Sequence, residues 1–330
     1  MDVQLGLFAD ETVVAGPAAV GAARASDRVE AYAAGLPKSV RLGTSSWSFP
    51  GWEGHVYDRR ASPDVLAREG LGAYAEHPLF RTVGVDRSFY RPLTSDQFRA
   101  YAAAVPKDFR FLVKADRLLT SPVNPDERAF GERNLRYLDA GYAASEVVGP
   151  MVEGLGDKAG VLLFQFPPIP PNLVGGRKAF FERLQRFLAA LPAGPLYAVE
   201  LRTPAFLTED YVAVLESTGA AHCYNVHPAM SPLERQLAVV QPFYQPALVV
   251  RWMLHSGLPY EAARERYQPF DRIVDEDPET RERIATTVLD VTLAERAAFV
   301  IANNKAEGSA PLTLLHLAAR ISEWGPSRPE

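Results

Sequence analysis

Cysteine is almost missing from this chain: Cys223 is the only one in 330 residues. No internal disulfide can form, which fits a reducing compartment. Long apolar runs are missing too, and nothing approaches the roughly 20 residues needed to cross a bilayer. No basic residue precedes Arg24, so the opening "MDVQLGLFADETVVAG" lacks the positive start of a secretory signal. A cytoplasmic location without membrane contact is expected. An excess of positive charge is also absent: 35 Lys and Arg face 40 Asp and Glu, for a net −5. That balance argues against a broad, sequence-blind grip on DNA or RNA but leaves room for a local basic mouth. Metal-ligand spacings are scarce, with no HxH or HxxxH pair near a strand end. Asp86, Glu200, His227 and His255 are the groups at hand, too few for a multi-metal site, which needs about three ligands per ion. No cofactor is expected, and a single divalent ion stays open.

What is present is a core. Apolar residues make up 47% of the chain and charged ones 23%, enough to bury one large domain. Residues 1–38 read as an Ala- and Gly-rich tail without sustained period, residues 39–325 as the folded domain, and 326–330 as a short end. Eight β-rich segments follow the tail, at 40–46, 82–89, 109–116, 160–166, 196–202, 221–226, 247–254 and 298–304. Helical spacing fills the gaps, at 63–76, 94–104, 127–148, 177–190, 208–218, 231–240, 278–289 and 310–322. Ser62-Pro63, Thr94, Thr208 and Ser231-Pro232 offer helix starts. Strands alternating with helices imply parallel pairing through crossovers, and a closed (β/α)8 TIM-type barrel is the simplest solution. No Gly-rich dinucleotide fingerprint follows the first strand, which disfavours the open doubly wound alternative.

In such a barrel the ligand site lies where the strands end. The stretch "LYAVELR" puts Ala198, Glu200 and Arg202 on one face, opposite Tyr197, Val199 and Leu201. The same alternation sends Asp86, Lys114, Gln165 and Arg251 inward and upward, and the segment at 298–304 finishes in Asn303-Asn304. Three cations against two acids favour a small anionic or hydroxyl-rich ligand. Glu200 is the candidate acid or base and Lys114 the second catalytic candidate, with Asp86, Gln165, Arg202, Arg251 and Asn304 binding the ligand. Glu200→Gln is then expected to abolish turnover and leave the fold intact. The competing reading makes Glu200 a structural ion pair with Arg202 or Arg251. In "WSFPGWEGHVYDRR" (47–60), Trp47 and its aromatic neighbours either stack on a ligand or plug the barrel top, and Tyr90 shares that ambiguity. The connection at 256–278 has the length of a lid, with Arg264, Arg266 and Tyr267 as contacts, or is a solvated surface segment. Cys223 reads as a small core residue.

The segments "LGTSSWSFPGW" (42–52), "RSFYRP" (87–92), "VPKDFRFLVKA" (105–115), "LLFQFPP" (162–168) and "AVELRTPAF" (198–206) resemble the YecE-like proteins, the domain-of-unknown-function family seventy-two. "IANNKAEGSAP" (301–311) matches more loosely. The resemblance implies a TIM-type barrel and no settled activity. The chain departs from the family pattern at Gly84, where a glutamate is usual, at Asp86, where an asparagine is usual, and at Ser121, Thr203 and Phe206.

One short motif lies in the tail. "QLGLF" is similar to the peptide by which bacterial DNA-processing proteins dock on the sliding clamp, with Leu5, Leu7 and Phe8 filling a groove and Gln4 setting register. Three functional readings therefore stand: a metal-independent enzyme on a small anionic or polyhydroxyl, sugar- or nucleotide-like compound; a nucleic-acid-associated module brought to the clamp; and a ligand binder without turnover.

Overall fold

The computed structural model describes residues 19–125, 131–255 and 257–324. Eight strands form its centre: β1 (Val40–Thr44), β2 (Thr82–Val85), β3 (Arg110–Lys114), β4 (Ala159–Gln165), β5 (Leu196–Glu200), β6 (Ala221–Val226), β7 (Leu248–Trp252) and β8 (Ala298–Ala302). They bond in the order β1-β8-β7-β6-β5-β4-β3-β2, and every ladder is parallel. Between β1 and β2 the ladder thins to one parallel bridge, Leu42 with Phe80, and an Arg81 N–H donating to the Leu42 carbonyl at 3.0 Å. The result is a nearly closed (β/α)8 barrel.

The two faces of each strand divide as the alternation requires. Leu112, Leu163, Ala198, Ala221, Cys223, Val249, Phe299 and Ile301 fill the barrel interior. Val83, Val113, Phe164, Val199, Leu201, Val250 and Val300 belong to the separate layer under the helices. Burying both faces is what makes these strands nearly continuous apolar runs.

At the β1–β2 seam the two backbones approach closely enough to require glycine. A Cβ on Gly43 would lie 1.9 Å from the Thr82 carbonyl oxygen. Gly43→Ala is therefore expected to lower the unfolding free energy by about 3 kcal/mol through overpacking. The urea midpoint measures this, and an unchanged midpoint would show that the seam has slack. Gly84 sits at the same seam, where a Cβ would come 3.0 Å from the Ser45 carbonyl oxygen. The glutamate that the resemblance implies there has little room in this chain.

Several helix starts match their local chemistry. Ser62 accepts from Val65 N at the head of α2 (Pro63–Ala75), and Thr94 with Gln97 forms a reciprocal cap on α3 (Ser95–Ala103). Thr208 makes no capping bond before α7 (Glu209–Thr218), and α8 (Leu233–Val239) begins after Pro232 without a side-chain cap.

Three segments differ from their sequence reading. The tail holds a helix, α1 (Asp27–Gly35), capped by Ser26 and carrying Ala33 into the core. Where one helix is expected at 127–148, the described residues 131–139 are not helical and helix begins at Ala140: α4 (Ala140–Tyr142) passes through a π-helical stretch, Ala143–Val148, into α5 (Gly149–Leu155). Before it, Asn134 Nδ2 donates to the carbonyls of Leu118 and Ser121 at 2.7 and 2.8 Å, folding 131–139 as turns. The connection after β7 contains a short helix, α9 (Tyr260–Tyr267). Among the described residues no helix is long and apolar enough to cross a membrane. Gln4, Leu5, Leu7 and Phe8 lie outside the described residues.

Candidate functional site

A cavity of about 330 Å³ opens where the strands end. Strand β2 leads to Asp86 and then Tyr90, β3 ends in Lys114, β4 in Gln165, and β5 leads to Arg202. Strand β6 leads to His227, β7 carries Arg251, and β8 leads to Asn303 and Lys305; all of these line the space. Pro167, Pro168, Met253, Leu254 and Tyr260 complete its wall. A larger cleft, about 960 Å³, lies by Leu135, Tyr137, Leu173 and Arg183, where no strand end contributes.

Below the cavity sits a buried ion cluster. Glu200 is 0% exposed, and both its oxygens are taken. Arg202 Nε donates to Oε1 at 2.6 Å and its Nη2 reaches the same oxygen, while Arg251 Nη1 donates to Oε2. Arg251 Nη1 also donates to Gln165 Oε1 at 3.1 Å, and its Nη2 lies 3.7 Å from Asp86 Oδ1. Burial alone would raise the Glu200 carboxyl; the charges of Arg202 and Arg251 outweigh it and bring it down to about 2. Burial would likewise depress Arg251, but Glu200 and Asp86 hold it above its usual range.

This geometry changes the part expected of Glu200. Its oxygens do not line the cavity, its carboxylate is saturated, and it stays ionised far below neutral pH. The structural ion pair weighed against catalysis describes Glu200 better, with both arginines engaged rather than one. Cys223, packed inside the barrel, has its Sγ 4.0 Å from Glu200 Oε2 and its thiol pushed well up by burial, as suits a core residue.

Lys114 is the group left without such a counter-ion. It is 8% exposed, and its Nζ lies over the Phe89 ring at 3.6 Å. Among the described residues no carboxylate lies within ion-pair distance of it. Burial, joined by Arg251 and Arg202 and opposed by Asp86 and Glu200, brings its amine from 10.5 to about 8. The Ser88 hydroxyl, 2.6 Å from the Lys114 carbonyl and 2.9 Å from that of Val85, ties the turn bearing Phe89 to the end of β3.

Two predicted ligand residues lie elsewhere. Asn304 Oδ1 accepts from Trp52 Nε1 at 3.1 Å and from Ala310 N at 2.9 Å, so it fastens the β8 loop to the aromatic cap. Its neighbour Asn303, on the inward face after Phe299 and Ile301, lines the cavity and donates from Nδ2 to Ser45 Oγ at 2.8 Å. Trp47 is buried edge-on against Tyr101, at 5.3 Å between centroids, away from the cavity. Trp52 and Tyr57 of the same loop are fully buried, so its aromatics act as a plug. In the 256–278 connection, Arg266 Nη2 and the Tyr267 hydroxyl bind Asp275, at 2.6 and 2.8 Å, and Tyr260 reaches the cavity in their place.

Sequence reasoning missed His227, Asn303, Lys305 and Tyr260 as lining residues. His227 Nδ1 accepts from Ala229 N at 3.1 Å, which leaves its proton on Nε2. Burial and Arg202 lower its pKa to about 4, so the ring is neutral at pH 7. The Lys305 ammonium faces the Tyr260 ring at 4.5 Å, with its pKa lowered mainly by burial. His222, on the opposite face of β6, bonds to Tyr211 and Gln236 in the helical layer. Among the described residues no three His, Cys, Asp or Glu side chains converge as a metal site. The lining thus sets four cations, Lys114, Arg202, Arg251 and Lys305, against the one carboxylate of Asp86.

Two of the solved structures to which the chain is similar in fold belong to one family. One is a DUF72 family protein from Thermotoga maritima, 21% identical with a TM-score of 0.57, covering 85% of this chain and 98% of that one. The other is a DUF72 family protein from Enterococcus faecalis, 18% identical with a TM-score of 0.57, covering 86% and 95%. No curated protein matches. The family described as "Protein of unknown function DUF72" matches residues 41–329, nearly the whole barrel, and the chain belongs to that family.

Proposed function

We propose that the cavity binds a small anionic, hydroxyl-bearing compound and that Lys114 moves a proton on it. The observation that carries this reading is the excess of cations, Lys114, Arg202, Arg251 and Lys305 against Asp86 in the wall and Glu200 beneath it, around a 330 Å³ space at the strand ends. Arg202 and Arg251, held rigid by Glu200, would orient the anionic group, with Lys305 at the rim. Asp86, Gln165 and Asn303 would take hydroxyls. Lys114, whose amine titrates near 8, is matched to general acid–base work at neutral pH in a way that Glu200, near 2, is not. Glu200 is a positioning residue in this scheme.

Sulfate, which stays dianionic between pH 6 and 10, is the direct probe. Calorimetry should show one site, and Lys305→Ala should weaken it about tenfold, equivalent to about 1.4 kcal/mol. Affinity should fall between pH 7 and pH 9, because Lys114 loses its charge near 8, while Glu200 and His227 titrate well below that window. Equal affinity in the variant and a flat pH profile would remove the anion-binding reading.

A further inference from the structure

We infer that Lys114 is a nucleophile as well as a base: it forms an imine with an aldehyde or ketone that carries a carboxylate or phosphate. The inference rests on the anion-binding reading of the same cavity and deepens it by naming the reactive group of the ligand.

An ordinary buried lysine is held by a carboxylate, because an unpaired ammonium in a low dielectric is costly. Here the buried carboxylate, Glu200, is consumed by Arg202 and Arg251. Asp86 lies 3.7 Å from Arg251, and its side chain is 37% exposed. Lys114 is left on the Phe89 ring, a contact that fixes the head of the side chain and accepts no proton from it. Lys114 lines the cavity, and among the described residues its Nζ has the Phe89 ring as a contact and no hydrogen-bonding or ion-pair partner. The neutral amine is accessible near pH 8, the condition for attack on a carbonyl carbon. Arg202 and Arg251 line the same space and supply the site for the anionic arm of the same molecule.

The step is closed in atoms and charge. The amine lone pair forms the C–N bond, the carbonyl oxygen takes protons and leaves as water, and the carbon becomes doubly bonded to nitrogen. Overall, lysine ammonium and carbonyl become a protonated imine and one water, with no oxidant or reductant required. The positive nitrogen so formed stays within the field of Asp86, which lies beyond ion-pair distance and whose charge already favours the cationic form of Lys114.

Borohydride trapping tests this on the full chain. Pyruvate supplies the carboxylate arm, glyceraldehyde 3-phosphate the phosphate arm, and propanal a neutral control. Peptide mass mapping should find the reduced adduct on Lys114 at least tenfold faster than on the exposed Lys107 and Lys178 with one anionic carbonyl and not with propanal. Lys114→Arg should abolish that adduct, and whichever probe reacts identifies the anionic arm. Labelling of Lys114 no faster than of Lys107 and Lys178 with either anionic probe overturns the inference. If sulfate still binds in the same preparation, the imine fails and the anion site stands; if sulfate does not bind either, both fail together.

Discussion

Glu200→Gln is expected to lower the unfolding free energy by about 3–5 kcal/mol at pH 7, because the change leaves two buried guanidinium groups without their counter-ion. The carboxylate is fully enclosed and bonded at both oxygens by Arg202 and Arg251, so an amide of the same shape keeps the packing and loses the charge. The pH dependence has a defined sign. The folded carboxyl is held at about 2, below its ordinary 4.5, so its contribution is fully present above 4.5 and disappears as pH falls through 2. Urea melts of wild type and variant should therefore converge on acidification. A variant as stable as wild type at pH 7 would mean that the cluster is not the support described, and would return Glu200 to the list of acid–base candidates.

Lys114→Met should have the opposite effect on stability. Methionine keeps the unbranched length and removes a buried ammonium that has no carboxylate bonded to it. The fall from 10.5 to about 8 corresponds to about 3 kcal/mol against the charged form, less what the Phe89 ring returns, so a gain of about 2 kcal/mol at neutral pH is expected. The penalty is complete below 8 and vanishes above 10.5, where the amine is neutral in both folded and unfolded chains. The stability difference between variant and wild type should therefore shrink as pH rises through that interval. The same variant should lose sulfate affinity and any imine chemistry. Greater stability with lost ligand chemistry is the signature of a group retained for function. Loss of stability in Lys114→Met would instead mark Lys114 as a structural residue.

How much of this could be read beforehand follows from the physics of strands. A period of two is visible in the chain itself, so the inward face of β5, and with it Arg202, was legible, as were Asp86, Lys114, Gln165 and Arg251 at their own strand ends. Strict application of that period along Phe299, Ile301 and Asn303 selects Asn303 over Asn304. What periodicity does not carry is distance. It places Glu200 among arginines without telling whether its oxygens are saturated or free, and that difference separates an anchor from a catalyst. Trp47 was misplaced for a related reason, since an aromatic in a mouth loop can turn towards the ligand or towards Tyr101. His227 and Lys305 lie just beyond regular strands, where the backbone has no fixed period to follow, and Tyr260 opens a short helix well past the end of β7. The helix α1 was hidden because its Ala-rich turns bury little: Ala33 is its one buried residue.

The central claim is that Lys114 is a poised amine at an anion site, and one titration addresses both halves. With carbon-labelled lysine, the NMR shift of the Lys114 Cε can be followed against pH with and without sulfate. The account predicts a midpoint near 8 in the free protein, moved upward when sulfate is bound. A midpoint at the ordinary 10.5, indifferent to sulfate, would contradict it.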